Sequence, residues 1–121
     1  MKNRVLIIDD SMLMRTLISD TVIDYGYEVV GHAETGEEGI ALALELEPDL
    51  ITLDNILPDM IGLDIIRVLK SEEKLASKII MISAVGQESV VQQGLILGAE
   101  DYISKPFNPE KLIASIKKVL S

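Results

Sequence analysis

The sequence predicts an α/β protein of doubly wound type: a parallel sheet wrapped on both faces by helices. Three observations carry that reading. Short apolar runs rich in β-branched residues alternate with stretches of helical period. The runs are continuously apolar rather than alternating, as strands covered on both faces are. Several of them end abruptly on a polar side chain, and in open α/β sheets the carboxyl edge of the strands is where ligands and reactive groups collect.

Val5-Leu6-Ile7-Ile8 is the first such run and stops at Asp9-Asp10. Helical spacing comes next, placing Met14, Leu17, Ile18, Val22 and Tyr25 on one face until Gly26 ends it. Glu28 to Ala33 reads as a second, shorter strand. Thr35 with Glu38 forms a capping box for a helix through about Leu46, which Glu47-Pro48 terminates. Asp49 to Leu53 is the central strand, ending at Asp54; Asn55 and the Leu57-Pro58-Asp59 turn break the pattern before a helix from about Gly62 to Lys70 that turns Leu63, Ile66 and Leu69 inward. Ser71 to Lys78 is a polar connection into a fourth strand, Lys78 to Ser83. The next helix, Gln87 to Leu97, carries Gly94 inside, so its last turn must be closely packed or weak. Asp101 to Ser104 is a short fifth strand closed by Lys105-Pro106. Asn108 caps, and Pro109 begins, a final helix with the stripe Leu112, Ile113, Ile116, Val119 and Leu120. Five strands alternating with five helices in 121 residues imply one domain, residues 1–121, with right-handed crossovers.

Composition narrows the function. A net charge of −9 with scattered lysines and arginines repels phosphate backbones and argues against nucleic-acid binding. The absence of cysteine excludes disulfides and thiolate chemistry, and the lone His32 cannot build a histidine metal cage. The apolar run after Met1-Lys2-Asn3-Arg4 meets Asp9 too soon for a signal peptide, and no run reaches membrane-spanning length, so a cytoplasmic protein without membrane partners is expected.

If all strands are parallel, Asp9, Asp10, Asp54, Ser83 and Lys105 share one edge of the sheet. Taken singly, each has a plain reading: Asp9-Asp10 as a helix cap, Asp54-Asn55 as a turn, Ser83 as a strand-end hydroxyl, Lys105 as a solvated lysine, Tyr102 as half-buried packing. Together they carry chemistry. Clustered carboxylates repel and need a cation, and oxygen-only ligands favour a hard ion such as Mg²⁺. A carboxylate with Mg²⁺, a lysine and a hydroxyl around it is suited to phosphoryl transfer, and an ionised Asp can accept the group.

Ile8-Asp9-Asp10, Leu53-Asp54 followed by Pro58 and Gly62, Ile82-Ser83-Ala84, and Lys105-Pro106-Phe107 resemble, over the whole chain, the receiver domain of two-component response regulators, in particular the stand-alone CheY-like chemotaxis regulators. The resemblance, not periodicity, implies a (βα)5 flavodoxin-like fold with strand order 2-1-3-4-5. It implies that Asp54 is the phosphoacceptor for a sensor histidine kinase, that Asp10 and Asp54 ligate Mg²⁺ by side chain and Ile56 by its backbone carbonyl, and that Asp9 acts mainly through water or indirectly. Ser83 and Lys105 would contact the phosphoryl group, Ser83 and Tyr102 would form the switch, and the Lys105-Pro106 bond would be cis. A downstream output protein would bind the face of the fourth helix, fifth strand and fifth helix, with Glu88, Val91, Leu95, Tyr102 and Lys111 as contacts; the protein would act as a monomer and not as a turnover enzyme.

Ile56 and Val85 stand where many relatives carry polar groups, so neither can orient an attacking water, and slow self-dephosphorylation is expected. Ser83 replaces the commoner threonine and keeps the hydroxyl. Two other functions compete. A Mg²⁺-dependent phosphatase of haloacid-dehalogenase type also uses a strand-end Asp and a lysine, but it wants an Asp-x-Asp pair where Ser11-Met12 follows Asp9-Asp10. A flavin binder needs a phosphate loop after strand one, where the acidic pair would repel phosphate.

Overall fold

In the computed structural model, which describes residues 3–84 and 86–121, strands β1 (Arg4–Ile8), β2 (Glu28–Ala33), β3 (Leu50–Asp54), β4 (Lys78–Ala84) and β5 (Asp101–Lys105) form one parallel sheet in the order β2-β1-β3-β4-β5. Helices α1 (Met12–Asp24), α2 (Gly36–Leu46), α3 (Gly62–Ile66), α4 (Glu88–Leu97) and α5 (Pro109–Leu120) alternate with them.

Alternation of side chains along each strand explains why the strand runs are uniformly apolar. Leu6, Ile8, Ile51, Leu53, Ile79 and Met81 point to one face and pack with Ala43 of α2 and Leu63, Ile65 and Ile66 of α3. Val5, Ile7, Leu50, Ile80, Ile82 and Ile103 point to the other and meet Ile18 and Val22 of α1 and Leu112, Ile113 and Ile116 of α5. Every residue of β3 is buried, which makes it the strand with least access to water. Each such Leu or Ile contributes about 1.5–3 kcal/mol of transfer free energy, so the sheet centre anchors the loops at its carboxyl edge.

The helices confirm most boundaries and correct some faces. α1 buries Ile18, Thr21 and Val22, while Leu17 and Tyr25, expected inside, are exposed, because α1 meets the sheet along a narrower stripe than its apolar residues cover. The capping box at α2 is offset: Thr35 accepts from the Glu38 amide at 3.1 Å, but Glu38 Oε1 accepts from the Glu34 amide at 2.8 Å rather than from Thr35. α3 does not run evenly to Lys70. It widens into π-type turns over Arg67–Glu72, where the Glu73 amide reaches back to the Val68 carbonyl, and Leu69 remains buried. Gly94 resolves its alternatives in favour of close packing, since a Cβ there would fall on the sulfur of Met81. Asn108 caps α5 by accepting from the Lys111 amide at 2.8 Å. No helix among the described residues is long and apolar enough to cross a membrane.

Candidate functional site

The parallel strands bring their carboxyl ends to one edge, and the loops there hold the site. The Asp9 amide still donates to the Ala33 carbonyl at 3.0 Å, so β1 pairing extends into the first acidic residue. The cap that the acidic pair would make if taken singly falls to Ser11, whose Oγ accepts from the Met14 amide at 3.2 Å. Asp9 Oδ1 accepts from the Ser11 amide at 2.9 Å, which leaves Asp9 Oδ2 buried without a hydrogen-bond partner and Asp10 exposed.

Asp54 sits at the end of β3, mostly buried, and carboxylate oxygens of Asp9, Asp10 and Asp54 lie within 4.8 Å of one another. Lys105, from the end of β5, donates to Asp54 Oδ1 at 3.1 Å and stands 3.7 Å from Asp9 Oδ2. Burial pushes the Asp54 carboxyl above the usual carboxylate range; the Lys105 hydrogen bond opposes this, and the Asp9 charge adds to it. Three carboxylates facing one ammonium are short of positive charge. The orphaned Asp9 oxygen, the all-oxygen donor set and the raised Asp54 together fit a hard divalent cation.

The remaining expected residues are placed less uniformly. Ser83 is buried at the end of β4, in register with Ser104, and lines a cavity of about 180 Å³ with Gln87, Glu88, Val91 and Tyr102. Tyr102 is 43% exposed, its ring outside the core. The Ile56 side chain is exposed beside the site, where it offers no group to a water. Glu88 and Lys111 are exposed, and Leu95 is half-buried against the core. Val91 needs correction as a free partner contact: at 5% exposure it is the floor of the cavity, because its position on α4 turns toward the sheet. Val85 lies outside the described residues, as do Met1 and Lys2. The Lys105-Pro106 bond is cis. His32 is exposed, in keeping with a surface role.

Three residues that frame the site were not singled out from the sequence. Arg15 is nearly buried and donates to the Asp9 carbonyl at 2.7 Å and to Glu34 Oε1 at 3.0 Å. Asp59 accepts from the amides of Gly36 and Glu37. Ser11 alone had a local signal, a hydroxyl directly before a helical stretch.

Residues 5–117 match the family described as the response regulator receiver domain. The chain belongs to that family. It is 40% identical over 119 residues to the chemotaxis protein CheY of Thermotoga maritima, covering 98% of each chain. To CheY of Bacillus subtilis it is 39% identical over 121 residues, with full coverage of both. Among solved structures, the complex of CheX with CheY, BeF3 and Mg²⁺ from Borrelia burgdorferi includes a chain 30% identical, with a TM-score of 0.92 over 98% of this chain and 90% of that one. This receiver is therefore a phosphorylation-activated switch of two-component signalling, with the CheY-like strand order. That assignment displaces the haloacid-dehalogenase alternative, and the acidic edge of the sheet is where receivers bind Mg²⁺.

Proposed function

We propose that Asp54 accepts a phosphoryl group from the phosphohistidine of a sensor histidine kinase. One Asp54 carboxylate oxygen forms the new P–O bond as the P–N bond breaks, and the electron pair stays on the departing imidazole. Asp10, Asp54 and the Ile56 carbonyl would hold Mg²⁺, with Asp9 acting through water. When bound, the ion supplies charge neutralisation for the phosphoryl oxygens. Lys105 pairs with the same oxygens from the other side, and Ser83 donates its hydroxyl to them.

Two-component output then requires the phosphoryl group to bias a two-state element. The cavity beside Ser83, bordered by the half-exposed Tyr102 ring, leaves that ring room to move inward behind the hydroxyl. The surface changed by this motion is the one formed by α4, β5 and α5, with Glu88, Leu95, Tyr102 and Lys111 toward an output protein and Val91 beneath them. Several relatives similar over their full length are chemotaxis proteins, which favours a chemotactic output in the cytoplasm.

The observation that carries this reading is the convergence of Asp9, Asp10 and Asp54 with the Lys105 ammonium 3.1 Å from Asp54. Incubation with Mg²⁺ and acetyl phosphate, followed by intact-mass measurement, should add one phosphoryl group to the wild type and none to Asp54→Ala. Labelling of both proteins, or of neither, would overturn it. The apolar Ile56 implies a long phosphoryl lifetime, so Ile56→Asn should shorten it; equal decay of the two proteins removes that argument.

A further inference from the structure

We propose that Asp59 is a positioning residue for the cation site, gripping the amino end of α2 from the β3–α3 loop and thereby setting where the Ile56 carbonyl stands relative to Asp10. This rests on the magnesium reading above.

The first amides of a helix have no partner within it. In α2 the third of them, Glu38, is taken by its own cap, Thr35 Oγ1. The other two are taken from another loop: Asp59 Oδ1 accepts from the Gly36 amide at 2.7 Å and Oδ2 from the Glu37 amide at 3.0 Å. Both carboxylate oxygens of an otherwise exposed side chain are committed to this grip. Those two amides hold the Asp59 carboxyl below the usual carboxylate range, so it is ionised at neutral pH. Met60 then lies directly over Gly36, where any Cβ would meet its Cγ and Sδ.

The grip reaches the ligand position because the loop between is braced. The Leu57 amide donates to the Met60 carbonyl at 3.1 Å, the Gly62 amide to the Asn55 carbonyl at 2.6 Å, and Ile56 bridges to Ile61. A shift at Asp59 is therefore carried to Ile56. On the other side, Arg15 joins the Asp9 carbonyl to Glu34, and the Glu34 amide donates to Glu38. The two loops that bear the proposed ligands thus meet through residues 34–38, which supply none themselves. Mg²⁺ demands near-ideal octahedral geometry, whereas Ca²⁺ accepts irregular and variable coordination. Loosening the spacer should consequently harm Mg²⁺ binding more than Ca²⁺ binding.

Calorimetric titration of Mg²⁺ and, separately, Ca²⁺ into the full chain tests this, using wild type, Asp59→Ala, Asp59→Asn and Ser77→Ala. Ser77 donates to the Pro48 carbonyl at the opposite end of the sheet and serves as a destabilised control. Asp59→Ala should weaken Mg²⁺ about ten-fold, the lower end for losing a partner that orients metal ligands, with a smaller loss for Ca²⁺. Asp59→Asn, which keeps one acceptor oxygen, should fall between, and Ser77→Ala should change neither ion. Should Asp59→Ala fail to fold, Asp59→Asn and Gly36→Ala must show the same change in the Mg²⁺ to Ca²⁺ ratio. An unchanged ratio in the Asp59 variants overturns the inference, whereas a wild type that takes up no Mg²⁺ overturns the cation reading on which it rests.

Discussion

The two ends of the same five strands are finished in opposite ways. At the amino end three partly buried carboxylates have their own donors: Asp49 accepts from the Arg4 amide at 2.9 Å, Glu100 from Lys70 Nζ at 3.0 Å and from the Ile79 amide at 2.7 Å, and Asp101 from Ser115 Oγ at 2.7 Å and Lys118 Nζ at 3.2 Å. At the carboxyl end Asp9, Asp10 and Asp54 face a single ammonium among the described residues, and one buried oxygen is left without a partner. Acidic groups that are fully satisfied stabilise the fold, while groups left short of positive charge weaken it and wait for a ligand. The carboxyl titrations obey the same division. Asp101 is partly desolvated, which raises its pKa, but the Ser115 hydroxyl and its other donors outweigh this and hold it below the usual range, whereas Asp54 is pushed above it.

Breaking the satisfied end should have the larger effect on stability. Glu100→Ala strips Lys70 and the Ile79 amide of a charged acceptor and should cost about 1.5–3 kcal/mol in chemical denaturation, without altering Mg²⁺ affinity. A loss of affinity matching the loss of stability would mean that the two ends are not independent.

Relieving the unsatisfied end should act more weakly and in the opposite direction. Without divalent cations at neutral pH, Asp54→Asn should unfold at a higher denaturant midpoint than wild type. The sign comes from linkage: a carboxyl whose folded pKa lies above its unfolded value lowers stability once ionised, and acidification through the folded pKa relieves that penalty. The gap between Asp54→Asn and wild type should therefore close as pH falls into the ordinary carboxylate range. A gap that widens on acidification, or a destabilised Asp54→Asn, would contradict the charge imbalance.

What was legible in the sequence was local. Val5 to Ile8 and Ile79 to Ile82 announce doubly covered strands, and Thr35 and Asn108 announce their helices by capping chemistry acting within three residues. The site residues were legible because parallel strands deliver their last residues to one edge. Long-range reach was not. Asp59 looks like a turn residue until α2 is folded 22 residues away, and Arg15 like a solvated helix cation until Asp9 and Glu34 close around it. Helix faces were legible only as candidates, since the width of the contact decides which apolar residues go inside: Leu17 and Tyr25 were left out, and Val91 was taken in. The widening of α3 at Arg67–Glu72 has no composition signal that sets it apart from an ordinary helix end.

The burial of all five residues of β3 makes its length a counted quantity. Leu50, Thr52 and Asp54 lie on one side of that ribbon, Ile51 and Leu53 on the other, so adding or deleting one residue ahead of Asp54 would turn the carboxylate toward α2 and α3 and away from Lys105. Loop lengths around the edge can drift over generations. The run before Asp54 can change in side-chain size but not in number.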